Sequence, residues 1–194
     1  TFLNKFQLYG NTLNAVLGEG AAYWQGDKMI VPSGSASKIN GGDVTIKPVC
    51  KHQGEMSYTD NGDNHTATCA ICSHVYSEAH SIDPSTLQCA CGATAAVSVT
   101  MGGNTVYHTT FNSAIQAVST ATAEDEAVVT LLKNIDLGSG YQNVSSGVFA
   151  LDLKGCSITG TSSYALYLSS SNVDVFITDS GEDGMISGKS YAIY

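Results

Sequence analysis

Three segments in the last third of the chain share one plan, and that plan restricts the fold more than any other feature. VVTLL-KN-IDL (128–137), FALDL-KG-CSI (149–158) and DVFITD-SGEDG-MIS (174–187) each read as strand, tight polar turn, strand. YALYL (164–168) and YAIY (191–194) add a third strand at matching places, each preceded by Ser. Leu132 and Leu153, at equivalent places before the first two turns, lie 21 residues apart. Units of about 20–30 residues made of short apolar strands mark a solenoid, because one unit cannot bury its inner face and stacking does. The expectation for 126–194 is about two to three stacked coils of parallel sheet.

The segment before the repeats supplies a start for such a stack. AVSVTM and TVYHT flank Gly102, Gly103 and Asn104, a hairpin signal. TTFNSAIQAVSTA then places Phe111, Ala114, Ile115 and Val118 on one helical face, with Thr110 or Asn112 as cap. A helix over 111–121 would cover the open end of the core. His108, alone in TVYHTT, reads as an ordinary strand residue, and Cys156, in ALDLKGCSITG, as a buried thiol on an alternating strand.

Residues 1–49 form a separate α+β segment. NTLNAVLGEG carries a short helical signal, AAYW and MIVP pair across QGDK as a hairpin, and DVTIKPV reads as a third strand. Tyr23 and Trp24 suit either a sugar-stacking platform or the anchor of a small core, and the core reading is preferred.

Residues 50–95 differ from both neighbours. They hold five Cys and four His and almost no apolar periodicity. A stretch of this size that cannot build a core needs cross-links. Cys69-Ala-Ile-Cys72 has the spacing of a knuckle whose two sulfurs reach one ion, and Cys89-Ala-Cys91 is one residue shorter. With Cys50, His52, His65 and His80 there are eight candidate ligands, enough for two tetrahedral zinc ions of structural type. The two knuckles are the expected ligands of one ion, and the other four residues the candidate second set. His74 also lies between the knuckles. Disulfides and a reactive thiol are the competing readings. Five local cysteines are odd in number, which disfavours a closed disulfide set unless Cys156 is the sixth.

These residues carry a resemblance. CKH…YTDNGDNHTATCAIC…EAHSID…CACGA resembles the Cys/His-rich, zinc-ribbon-like module of large surface proteins of Gram-positive gut bacteria. There the pattern runs C-x-H, D-G-x-H-T-x-x-C-x-x-C-G, H, then C-x-x-C-G-A. Ser73 stands where that module has Gly, and the second knuckle is C-x-C. The stretch from TTFNSAIQAV to VFITDSGEDGMISG similarly resembles the start of a pectin-lyase-like right-handed β-helix, and LNAVLGEGAAYW resembles a module that precedes the Cys/His segment in the same proteins. The resemblance implies a mainly β chain in three parts: 1–49, a zinc module over 50–95, and the helix-capped first coils of a parallel β-helix over 96–194. It also implies an exported or cell-surface protein.

Charge narrows the partners. Seventeen Asp and Glu face eight basic residues, all Lys, for a net charge of −9. Such a chain repels phosphate backbones, so nucleic acid is excluded as an expected partner. The absence of Arg removes the bidentate clamp for carboxylates. No apolar run approaches the ~18 residues that span a bilayer. TFLNKFQLYG opens without a basic n-region, and KSYAIY closes inside an alternating pattern, so the chain is expected to be a piece of a larger protein. The β-helix hosts adhesins and binders as well as enzymes. A polysaccharide lyase or glycosidase needs a strong base or a carboxylate pair about 5–9.5 Å apart. Asp152 and Asp179 could stack on neighbouring rungs, and each also fits a turn-stabilising role. The expectation is therefore a non-catalytic surface module that binds a glycan or a host-surface protein. The alternative is the first part of a lyase or glycosidase whose site lies elsewhere.

Overall fold

The computed structural model describes residues 5–7, 21–30, 43–48, 50 and 55–194. The helix expected in NTLNAVLGEG, and His52, lie outside the described residues. The chain divides into two compact units, Thr1–Thr59 with Thr66–Glu78, and Asp60–His65 with Ala79–Tyr194. The residues expected to make one Cys/His module are thus shared between two units.

In the first unit, β1 (Lys5–Gln7), β2 (Ala21–Gln25), β3 (Lys28–Ile30) and β4 (Asp43–Pro48) form an antiparallel sheet in the order β1-β4-β2-β3. Gln25 pairs with Lys28 across a two-residue turn, the hairpin that QGDK announces. Tyr23 is fully buried, and Trp24 packs partly exposed against Ala22, Met29, Cys50, Cys69 and Cys72. These aromatic residues serve a small core. Three further strands follow, β5 (Met56–Asp60), β6 (Asn64–Cys69) and β7 (Val75–Ala79), with β6 central.

In the second unit, β8 (Ile82–Asp83) pairs with β9 (Gln88–Cys89), and β10 (Val97–Met101) pairs with β11 (Asn104–His108) across Gly102 and Gly103. The helix α1 spans Phe111–Ala117. Thr110 is its cap, and the Thr110 hydroxyl accepts from the Ser113 amide at 3.1 Å. It ends four residues before the expected 121, because Val118-Ser-Thr is a poor helix former and turns instead. Phe111, Ala114, Ile115 and Val118 are buried in the main core, as the helical face requires.

The remaining strands are β12 (Val128–Leu131), β13 (Ile135–Asp136), β14 (Gln142–Val144), β15 (Gly147–Asp152), β16 (Ser157–Thr159), β17 (Tyr164–Leu168), β18 (Val173–Thr178), β19 (Met185–Ser187) and β20 (Tyr191–Ile193). The chain visits three sheets in rotation. β12, β15 and β18 are parallel neighbours, as are β13, β16 and β19, and β14, β17 and β20. FALDL therefore pairs parallel with VVTLL. The first of these sheets is mixed, since β10 joins β12 antiparallel and the full order is β11-β10-β12-β15-β18. Pairing sets the repeat one residue longer than the sequence suggests: Val129 faces Leu151, a step of 22. That step makes Leu131, which is fully buried, the counterpart of Leu153, and leaves Leu132 half-buried.

Alternation fills the interior. Val129, Leu131, Phe149, Leu151, Ile158 and Leu166 are buried in one cluster with the α1 face. Each fully buried aliphatic side chain contributes roughly 1.5–3 kcal/mol. Cys156 departs from expectation: it lies in the turn before β16, partly buried against that cluster, rather than on a strand.

Candidate metal centres

The first centre is built from β6 and the chain around it. β6 buries His65, Ala67 and Cys69 on one face by simple alternation. Past its end the chain curls back: the Cys69 carbonyl accepts from the Ser73 amide at 2.8 Å, and the Cys69 amide donates to the His74 carbonyl at 3.0 Å. This turn puts Cys72 beside Cys69. Its tightness forces Ser73 into the left-handed region at φ 57, where glycine is the favoured residue. Cys50 enters from the other side, its amide donating to the Met29 sulfur at 3.2 Å. The sulfurs of Cys50 and Cys69 are 3.7 Å apart. Cys50, Cys69 and Cys72 present their sulfurs within 4.8 Å of one another, all buried. Burial pushes the Cys72 thiol up, with a hydrogen bond from the His74 backbone opposing it.

The second centre gathers His65, His80, Cys89 and Cys91, whose donor atoms again lie within 4.8 Å of one another. Here the second knuckle folds as a tighter turn, with the Gly92 amide donating to the Cys89 carbonyl at 2.8 Å. His65 Nδ1 lies 3.4 Å from His80 Nδ1 and 3.7 Å from the Cys89 sulfur, while His80 Nδ1 lies 3.3 Å from the Cys91 sulfur. These separations have a geometric meaning. With metal–sulfur bonds of about 2.3 Å and metal–nitrogen bonds of about 2.0–2.1 Å, tetrahedral edges are about 3.8 Å for S···S, 3.6 Å for S···N and 3.4 Å for N···N. The distances found lie close to those edges, including the 3.7 Å between Cys50 and Cys69, with the 3.3 Å from His80 Nδ1 to the Cys91 sulfur somewhat shorter. Both groups could hold a metal ion.

The alternatives meet geometry as well. All six cysteines lie among the described residues and none forms a disulfide. Sulfurs 3.7 Å apart are far beyond the ~2.05 Å of a bond. A reactive thiol deserves comparison, because Cys91, His80 and Asp60 line up: His80 Nδ1 faces the Cys91 sulfur, and His80 Nε2 is 3.3 Å from Asp60 Oδ1. Burial, however, pushes the Cys91 thiol up. The thiol pulled down is Cys89: burial acts against it, but hydrogen bonds from the Cys91 backbone and the His80 side chain prevail and bring it to about 6. His80 Nδ1 also faces His65 Nδ1, so the imidazole belongs to a group of four neighbouring donors rather than to a pair. A closed, four-donor arrangement suits structural binding, since a catalytic metal keeps a position open.

The expected ligand set is thus redistributed. Cys69 and Cys72 do not share a group with Cys89 and Cys91; the former pair joins Cys50, and the latter joins His65 and His80. The backbone of β6 keeps two of the donors apart. His65 and Cys69 stand four residues apart on β6, and a strand rises about 3.3 Å per residue, so one ion cannot serve both ends. His74 is exposed and belongs to neither group.

Elsewhere, Asp152 and Asp179 are tied into turns. Asp152 accepts from the Lys154 and Ser180 amides at 3.0 and 2.8 Å and from the Ser180 hydroxyl at 2.7 Å. Asp179 accepts from the amides of Gly155, Gly181 and Gly184. Amide donation from Gly155 and Gly184 holds the Asp179 carboxyl below its usual range, and the Ser180 and Lys154 bonds do the same for Asp152 against its burial. Carboxylates engaged this way act as turn braces. Sequence reasoning missed one feature, the ring contacts joining Tyr141, Tyr164, Tyr167, Tyr191 and Tyr194. YALYL and YAIY held the signal, since Tyr164 pairs in register with Tyr191. Among the described residues no helix is long and apolar enough to cross a membrane. No family model, curated protein or solved structure matches this chain.

Proposed function

We propose that the chain is a non-catalytic, zinc-stabilised β module of a secreted or cell-surface protein, serving structure and adhesion or glycan binding. The observation that carries the zinc reading is the convergence of two imidazole nitrogens and two thiols at close to tetrahedral edge lengths. Mixed nitrogen and sulfur donors in a closed tetrahedron suit zinc over calcium or magnesium, which take oxygen ligands. His65, His80, Cys89 and Cys91 hold one ion. Cys50, Cys69 and Cys72 supply three thiolates to a second. Zinc in such sites supplies folding free energy, on the order of 10 kcal/mol in small peptides, to segments with little core of their own.

The rotating parallel strands from β12 to β20 are, on this reading, the first coils of a parallel β-helix. Its right hand follows from the general handedness of parallel crossovers. The non-catalytic reading rests on the bracing roles of Asp152 and Asp179 and on the absence of Arg. Export is supported by the family resemblance of the Cys/His pattern. A net charge of −9 favours neutral or basic partners, such as uncharged glycans.

Elemental analysis of the purified chain should give two zinc per molecule. The double variant Cys89→Ser/Cys91→Ser should retain one, and Cys156→Ser should retain two. A metal-free chain whose cysteines resist thiol reagents until a reductant is added would overturn the zinc reading.

A further inference from the structure

We propose that the turn at residues 60–62 is a tautomer lock for His80, with Asp60 and the Gly62 carbonyl as positioning groups. The proposal rests on the reading that His65, His80, Cys89 and Cys91 bind zinc. Its starting point is the far side of the His80 ring. His80 Nε2 lies 3.1 Å from the Gly62 carbonyl and 3.3 Å from Asp60 Oδ1, and the His80 side chain is only 3% exposed. A carbonyl oxygen can only accept, so Nε2 carries the hydrogen. The lone pair is then left on Nδ1, the atom that faces Cys91 and His65. A neutral imidazole has one bare nitrogen, and this turn decides which one.

The turn is itself held. Asp60 Oδ1 accepts from the Gly62 amide at 2.8 Å, and the Asn61 amide donates to the Asn64 carbonyl at 2.9 Å. The Gly62 carbonyl also accepts from the Thr109 hydroxyl at 2.8 Å, and the Asp63 carboxylate accepts from the Thr110 hydroxyl. Six residues, Asp60–His65, therefore do two jobs: His65 is a ligand, and Asp60 with Gly62 aims the other imidazole. Thr109 and Thr110 fasten this segment to the end of β11 and the cap of α1. Asp60 places a carboxylate oxygen behind the imidazole, on the side away from the cysteine sulfurs. Outer partners of this kind are worth 10–100-fold in metal affinity.

The test uses the full chain loaded with zinc. Long-range proton–nitrogen correlation spectra report the tautomer of His80, and competition with a chromophoric chelator reports affinity at each centre. In the wild type, His80 should be protonated at Nε2 and ligated through Nδ1. Asp60→Ala should weaken the His65/His80/Cys89/Cys91 centre by about 10–100-fold and leave the other centre unchanged. Asp60→Asn keeps an acceptor without the charge, so it should preserve the tautomer and recover part of the affinity. Thr109→Val should give a smaller loss with the same tautomer. Ligation of wild-type His80 through Nε2, or unchanged affinity in Asp60→Ala, would overturn the lock while leaving the zinc reading intact. A wild-type chain that takes up no metal would overturn both.

Discussion

Parallel stacking in the second unit makes a graded prediction along one ladder of isoleucines. Ile135, Ile158 and Ile186 face one another in parallel register across β13, β16 and β19. Ile158, the middle member, is 0% exposed, Ile135 is 9% exposed, and Ile186 is only partly buried against the core. Truncation of Ile158 to Ala removes buried methyl groups and leaves a cavity that neighbours on both sides keep from collapsing. The cost should fall in the upper part of the usual range, about 3–5 kcal/mol. Ile135→Ala, at the edge of its sheet, should cost about 2–3 kcal/mol. Ile186→Ala loses a side chain that already meets solvent, and should cost about 1 kcal/mol. Urea unfolding followed by far-ultraviolet circular dichroism, with zinc saturating so that metal linkage is constant, measures all three. Equal costs at the three positions, or less than about 1 kcal/mol at Ile158, would refute the stacked core as described.

Two further perturbations probe single residues. Ser73 holds φ 57 in the first knuckle, a strain of about 1–2 kcal/mol for a residue with a Cβ, partly offset by the added freedom of an unfolded glycine. Ser73→Gly should therefore raise the thermal midpoint of the zinc-loaded first unit, and Ser73→Ala should not; no difference between them would contradict the strain. Asp179 binds its proton less tightly folded than unfolded, because amides of Gly155 and Gly184 hold the carboxylate. Its contribution is present above the unfolded value, about pH 4, and is lost as pH falls through the depressed folded value. Asp179→Asn should flatten the acid limb of a stability–pH curve below about pH 4 and leave its slope between pH 6 and 8 unchanged. An unaltered acid limb would remove the bracing role.

Local signals in the sequence determined much of this protein. Gly102 and Gly103 set a hairpin, the Thr110 hydroxyl starts α1, and alternation in VVTLL and FALDL fixes which residues turn inward. The types of residue that could bind metal were equally plain, because cysteines and histidines crowd a stretch with no core of its own. Each of these depends on neighbours within a few residues, where chain geometry leaves little choice. Tertiary structure alone decided the rest. It chose a step of 22 over 21 between the first two repeats, because hydrogen-bond register obeys inward packing rather than turn position. It brought Cys50 to Cys69 and Cys72 across about twenty residues, and it gave Cys89 and Cys91 to His65 and His80. It also placed Asp60 behind His80. Spacing in sequence says which donors are near along the chain. Convergence on one ion is set by how strands and turns carry those donors through space, and the extended run of β6 between His65 and Cys69 sent them to different centres.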